Sequence, residues 1–558
     1  MIKTKKEFQT LPKEFFTYLT YPKKAPGWID GVYFPRTPSY QNDAVPISYQ
    51  NDPHSPNPAS SLTLLFSQSW REIESSGYGV YTYENTPVFS PTIENGMYQI
   101  TVLFENPTAA PYSCYIRANH IVKVDSVTVL PGKKQSVSFY VPVYQDQLEL
   151  AFPFGSYSAL DTTPTEGTIY LSSLTIEKME PKPIPDQPTI FLASDSTVQT
   201  YESIYYPQTG WGQVLCQFFT KKNQILESSC TNCSYPQAKI YQTESVTIEN
   251  RSIGGRSSRS FIEEGKFDSL LQSMHPGDFL FVQWGHNDAT AIRPNRYVSV
   301  FDFPACLLPY YQACQMIGAQ LVLITPVARR NCDEQGSFQI SFPAYREQMI
   351  SFAHTHHIPL LDLGKSSTEF LTHLTPEESK SLYLWLAPGQ YPDGAYPDGL
   401  SDNTHLQRYG ATIFANLLAC LIRDYTEDSK LDRLKSIVHP VDPSSIPKPI
   451  RFQGTPAPCD PTMVTGFAVQ EITKDGITGS FLLSFHNVKD AVSYHIYQKE
   501  KNDLTYHRIK TISQEEKNNS VTLPFSAKCG FLYQYYVTAV FSNGSEGRSS
   551  RIIEVNLL

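Results

Sequence analysis

Apolar and polar positions change their period twice along the chain. Before the proline-rich segment PKPIPDQP at 181–188, runs such as MYQITVLF from Met97 and QSVSFYVPV from Gln135 alternate or cluster β-branched and aromatic residues, with Gly, Pro and Asn between them. Apolar recurrence at three and four positions is nearly absent there, which predicts a β-sandwich over 1–182. From Thr189 the pattern differs. Short apolar strands (TIFLA from Thr189, SVTIEN from Ser245, DFLFVQW from Asp278, AQLVLIT from Ala319, IPLLD from Ile358) alternate with GWGQVLCQFFTKK, FPACLLPYYQACQMIG, FPAYREQMISFAHTHH and YGATIFANLLACLIRDY, whose apolar residues recur at helical spacing. The alternation predicts a doubly wound α/β domain over 189–438 with a mainly parallel sheet, and reactive groups collect at the carboxyl ends of such strands. A second proline-rich stretch, HPVDPSSIPKPIRFQGTPAPCDP at 439–461, reads as another linker. Beyond it, SFLLSFHNV, VSYHIYQKE and FLYQYYVTAVFSNGSEGRSS predict a small β-sandwich over 460–558.

At 558 residues the chain exceeds a single hydrophobic core, in keeping with about three domains. Hydrophobic content of 41% with 18% charged residues is that of a soluble globular protein, and no apolar run approaches the ~20 residues of a membrane span. The formal charge of −9 argues against nucleic acid or an anionic membrane as main partner, and an acidic substrate would need a local basic site. Tyr and Phe, 35 and 31 in number, suit both β-sheet cores and surfaces that stack on sugar rings. The N-terminus MIKTKKEFQTLPKEFF has lysines with no apolar stretch behind them, so the sequence as given predicts a cytoplasmic protein, or a secreted one where a signal has been trimmed from it. Ten dispersed cysteines fit reduced thiols better than a disulfide framework. Cys230 and Cys233 form a CxxC, half a zinc site or a redox pair, but no partner motif lies nearby and a structural role is the simpler reading.

Four polar clusters stand beside the elements of the middle domain. Ala193-Ser194-Asp195-Ser196-Thr197 follows TIFLA: a serine on a tight turn after a strand exposes its hydroxyl as a nucleophile must, although Asp-Ser pairs also cap ordinary helices. Gly254-Gly255-Arg256 lies in the stretch after SVTIEN, where paired glycines let the backbone approach a ligand or simply make a turn. Gly285-His286-Asn287-Asp288 ends DFLFVQW, and the Asn287 amide could donate to a developing oxyanion. Asp402-Asn403-Thr404-His405 precedes the last apolar helix, with a spacing that lets the carboxylate hold Nδ1–H while Nε2 faces a serine. Singly, each is weak.

Their order is informative. Ser, Gly, Asn and DxxH in succession within one α/β domain resemble the SGNH (GDSL-type) hydrolases. The strings FLASDSTV, GWGQVL, NRSIGGRSSRSFIEEGKFD, PGDFLFVQWGHND, LITPVARR and LSDNTHLQRYGA resemble more closely the rhamnogalacturonan acetylesterase-like branch. The resemblance implies a three-layer flavodoxin-like fold, Ser196 as nucleophile, His405 as base and Asp402 as its orienter. It also implies an oxyanion hole from the amides of Ser196 and Gly255 and the Asn287 side chain, with no metal or organic cofactor. The usual Gly before Asp-Ser is Ser194 here, and Gly254 competes with Gly255 for the oxyanion role; Gly255 is chosen because it directly precedes Arg256 in the family string. The N-terminal region loosely resembles galactose-binding-like jelly rolls, and YYVTAVFSNGSEGRSS resembles the last strands of fibronectin type III domains.

The expected activity is removal of acetyl groups from an acetylated plant-type oligosaccharide or polysaccharide, pectic in the first instance. Arg251, Arg256, Arg259, Arg293, Arg296, Arg329 and Arg330 crowd these loops, and guanidinium groups suit uronate carboxylates. Arg256 and Arg259, with Trp284 and His286, are therefore candidate substrate contacts, against the alternative that the two arginines brace the loop through acids such as Glu263. Xylan, mannan or another acetylated glycan is the alternative substrate, and a sugar-binding protein with a relic esterase domain the alternative class. Oligomeric state is left open.

Overall fold

The computed structural model describes residues 93–557 apart from 154, 156–165, 223, 231, 234, 294–295, 393, 450–451, 453–461, 475–476, 501–505 and 514–519. To these it adds the strands Trp28–Ile29, Leu62–Ser67, Trp70–Glu72, Tyr81–Tyr83 and Val88–Phe89. The chain forms two compact units, both of which draw on the middle domain.

The first unit comprises residues 1–195, 255–326 and 342–360. Its N-terminal part is β-rich. One sheet runs Trp28–Ile29, Val88–Phe89, Leu150–Ala151, Tyr112–Ala118, Ile121–Val129; another runs Leu62–Ser67, Glu166–Lys178, Gly96–Glu105, Lys134–Val143. Gly96–Glu105 shows why the period-two pattern works: its residues alternate between buried and partly exposed, sending Tyr98, Ile100, Val102 and Phe104 into one apolar cluster with Ile116, Val141 and Leu174. The rest of the unit is α/β. Thr189–Ala193, Phe279–Gln283 and Gln320–Ile324 pair in parallel and are almost wholly buried, as expected of strands written as continuous apolar runs. FPACLLPYYQACQMI forms the predicted helix, Phe303–Ile317, with Pro at its start and Gly318 in the left-handed conformation closing it. Lys123 forms a buried ion pair with Asp268, and Lys182, within the first proline-rich segment, donates to the Gln272 carbonyl. That segment is tied down locally.

The second unit comprises residues 196–254, 327–341 and 361–558. Here the sheet departs from the parallel pattern and is mixed: Leu226–Ser229, Lys239–Gln242 and Thr247–Asn250 form an antiparallel ribbon. The connection between the last two is a tight turn in which Thr243 and Val246 bond each other, too short for the crossover that a parallel pair requires. GWGQVLCQFF is helical but divided, α over Trp211–Val214 and 3-10 over Leu215–Phe219. Tyr383–Leu386 pairs antiparallel with Leu400–Leu406, and helix Arg408–Arg423 follows. Gly410 is required there, because a Cβ would stand 2.1 Å from the Leu382 carbonyl oxygen.

The second proline-rich segment begins anchored. The His439 amide donates to the Phe218 carbonyl, and Val441 exchanges two hydrogen bonds with the Asn416 side chain, 2.8 and 2.9 Å. Beyond it the C-terminal part is β-rich, with sheets Ala468–Lys474, Thr478–His486, Ser520–Lys528 and His507–Ser513, Ala491–Glu500, Leu532–Phe541, Ile553–Asn556 around a second apolar cluster. Among the described residues no helix is long and apolar enough to cross a membrane.

Candidate active site

The first and fourth clusters meet in the second unit. Ser196 occupies a turn beyond strand Thr189–Ala193, but no long helix follows it. Side chains do the work helix amides would have done: Tyr201 Oη donates to the Ser196 carbonyl (2.8 Å) and Asn250 Nδ2 to the Val198 carbonyl (2.8 Å). Gly210, of GWGQVL, lets the next segment pass, since a Cβ would meet the Gln199 carbonyl oxygen at 2.2 Å.

Asp402 and His405 lie on strand Leu400–Leu406, not in a loop. Asp402 Oδ1 accepts the amides of Thr404 (2.6 Å) and His405 (3.0 Å), which turns Oδ2 toward His405 Nδ1 at 2.7 Å. His405 Nε2 then stands 3.0 Å from Ser196 Oγ. With the proton on Nδ1, the imidazole is held in the tautomer that accepts from the serine. Burial raises the Asp402 carboxyl, but the hydrogen bond and charge of His405 and the two amides outweigh it and bring it down to about 2. Arg330 and Trp385 steady this strand. Trp385 Nε1 donates to Asn403 Oδ1 (2.9 Å), as does Arg330 Nη1 (3.2 Å), and the Arg330 guanidinium lies 4.8 Å over the indole. Trp385 carries no signal in the sequence, and Arg330 braces this strand where a uronate contact is the sequence-based expectation.

The second and third clusters meet in the first unit. Asn287 Nδ2 donates to the Arg256 carbonyl (2.8 Å), and buried Asp288 accepts from the Ser258 amide (3.0 Å), the Ser258 hydroxyl (2.6 Å) and the Gly285 amide (3.0 Å). Burial pushes the Asp288 carboxyl up to about 6 against the pull of these donors. Asp288→Ala would strand three buried donors, and a loss of roughly 2–4 kcal/mol is expected, read as a lowered thermal midpoint that Asp288→Asn reproduces only in part. Gly255 has φ 78°, where a side chain would cost about 1–2 kcal/mol. The Gly254 amide is committed to Gln199 Oε1, which leaves Gly255 the better oxyanion candidate of the two.

The remaining candidates are placed as follows. Trp284 is fully buried against Phe261 and Tyr310 and offers no face to a sugar; it packs the core. His286 is buried, with Nδ1 3.4 Å from Asp195 Oδ2 and its ring edge-on to Phe342. Arg259 is buried and pairs with Glu263 (3.7 Å), Arg256 pairs with Glu264 (3.0 Å), and Arg251 is wholly buried on Glu249. These pairings favour bracing over uronate contact. Ser194 is accommodated by donating its hydroxyl to the Gln283 carbonyl at 2.6 Å. Cys230 Sγ lies 3.7 Å from Glu249 Oε1, and burial, with the Glu249 charge, pushes its thiol up to about 12, which makes it a poor thiolate.

Residues 190–418 match the model of the GDSL-like lipase/acylhydrolase family. The rhamnogalacturonan acetylesterase RhgT of Bacillus subtilis is 33% identical over 230 residues, 41% of this chain and 87% of that protein. The probable rhamnogalacturonan acetylesterase YesY of the same organism is 35% identical over 236 residues, 42% of this chain and 92% of that protein. The uncharacterized esterase YxiM, also from B. subtilis, is 26% identical over 366 residues, 63% of this chain and 80% of that protein. With the Ser, Gly, Asn and DxxH blocks all inside the matched segment, the chain belongs to the GDSL-like lipase/acylhydrolase family and is a serine esterase.

Proposed function

We propose that the protein is a carbohydrate O-acetylesterase that removes acetyl groups from pectic, rhamnogalacturonan-type oligosaccharides through a Ser-His-Asp acyl-enzyme. The observation that carries the chemistry is the line Asp402 Oδ2, His405 Nδ1, His405 Nε2, Ser196 Oγ, with contacts of 2.7 and 3.0 Å. His405 takes the serine proton as Oγ attacks the acetyl carbonyl. The imidazolium then returns that proton to the departing sugar oxygen, leaving acetyl-Ser196. Water, deprotonated by His405, attacks the acetyl-enzyme; acetate leaves and the serine recovers its proton. The oxyanion donors assigned by the family motif are the Ser196 and Gly255 amides and Asn287. Ionised Asp402 steadies the imidazolium.

The substrate class is supported by the two relatives named as rhamnogalacturonan acetylesterases, at 33 and 35% identity. In this reading the flanking β-rich regions are a galactose-binding-like and a fibronectin type III-like domain. Acetate release from acetylated rhamnogalacturonan, xylan and mannan oligosaccharides tests the substrate. The expected preference is for the pectic set, and activity confined to uncharged xylan or mannan fragments would overturn it.

A further inference from the structure

Five tyrosines collect on the two loops that flank the serine and the histidine, and the catalytic steps use none of them. Tyr201, bonded through its hydroxyl to the Ser196 carbonyl, meets Tyr205 edge to face with ring centroids 6.2 Å apart. Tyr205 is 37% exposed. Across from them, in the segment leading into strand Leu400–Leu406, the Ala395 amide donates to the Ile204 carbonyl (2.9 Å) and the Tyr396 hydroxyl to Gln208 Oε1. Tyr396 lies within electrostatic reach of both Tyr205 and Asp402, which add to the effect of burial in raising its hydroxyl to about 12. The aromatic group therefore borders the Ser196 turn and the Asp402 end of the triad.

The C-terminal β-rich region grips the same loop. The Arg548 guanidinium sits 3.7 Å from the Tyr206 ring centroid, and Tyr206 packs edge-on against Tyr391 at 5.5 Å. Glu202 stands within electrostatic reach of Lys499, Tyr506 and Tyr536. Residues 201–206 are thus held from the C-terminal side as well as by the hydrolase fold.

We propose that Tyr205, backed by Tyr201 and Tyr396, is the stacking surface of a glycosyl subsite for the pyranose ring next to the scissile acetyl group, and that Arg548 holds this surface in place. The proposal rests on the carbohydrate esterase reading. A sugar suits the chemistry better than an acyl chain: tyrosine offers an apolar face to the C–H side of a pyranose and a hydroxyl to its rim. Among the large apolar side chains exposed in residues 196–210 and 383–406, Tyr205 stands without an aliphatic companion. An acyl groove would need several.

The test compares wild type, Tyr205→Ala, Tyr205→Phe and Arg548→Ala on 4-nitrophenyl acetate and on whichever acetylated oligosaccharide the wild type turns over best. For Tyr205→Ala the ratio of kcat/KM for oligosaccharide to that for 4-nitrophenyl acetate should fall about tenfold, carried by KM, a change of about 1.4 kcal/mol. Tyr205→Phe keeps the ring and should stay near the wild-type ratio, while Arg548→Ala should lower it about threefold. An unchanged ratio in Tyr205→Ala, or an equal loss on both substrates, overturns the subsite. An unchanged ratio in Arg548→Ala overturns the role of the C-terminal region. A wild type that hydrolyses 4-nitrophenyl acetate but no acetylated glycan refutes the substrate reading and the subsite with it; a preference for xylan alone refutes only the pectic assignment.

Discussion

Ser196→Ala is expected to lower kcat for 4-nitrophenyl acetate by about 10⁶-fold, the order found when a triad nucleophile is removed. The substitution deletes one oxygen from a half-buried position and leaves the His405–Asp402 bond and the Tyr201 anchor on the residue 196 carbonyl in place, so the thermal midpoint should hardly move. Loss of activity with an intact fold would locate the chemistry at Oγ. Comparable rates for variant and wild type would remove Ser196 from the mechanism. Hydrolysis would then have to arise elsewhere on the surface.

Asp402→Asn is expected to cost about 10³- to 10⁴-fold in kcat with little change in KM, because an amide in place of Oδ2 can present N–H to Nδ1 and favour the wrong imidazole tautomer. The same variant has a signature in stability. The native carboxyl lies near 2, below its ordinary value of about 3.8, so Asp402 contributes stability that is present above about pH 4 and is lost as the pH falls toward 2. The asparagine variant should therefore show a flatter fall of thermal midpoint between pH 4 and 2 than the wild type. Parallel curves would mean that the carboxylate is not held as described. Any acid limb of wild-type activity above pH 4 belongs to a group other than Asp402.

Where residues act through local pattern, the sequence was easy to read. TIFLA, DFLFVQW and QLVLI are continuous apolar runs, and they form the buried parallel strands; the helix at Phe303–Ile317 begins and ends at its Pro and Gly signals. The DxxH spacing also sufficed, since the backbone amides at 404 and 405 orient Asp402 within the same short segment. Strand direction was harder to read. Nothing in SVTIEN distinguishes an antiparallel from a parallel neighbour, and the turn at Thr243–Val246 decides it. Arginine was the other blind spot. A guanidinium near a catalytic loop looks the same in sequence whether it awaits a uronate or neutralises Glu249, Glu263 or Glu264, and only burial and partner distance separate these uses. Contacts such as Arg548 on Tyr206 join residues more than three hundred positions apart and leave no trace in spacing.

The pinning of Val441 to Asn416 shortens the leash on the C-terminal region. Ile446 is still buried, so the chain between it and Thr462 can reach at most about 55 Å. Covalent connection thereby does part of the positioning, and the Arg548 guanidinium, 3.7 Å from the Tyr206 ring centroid, has only to fix the orientation of a loop already within its reach.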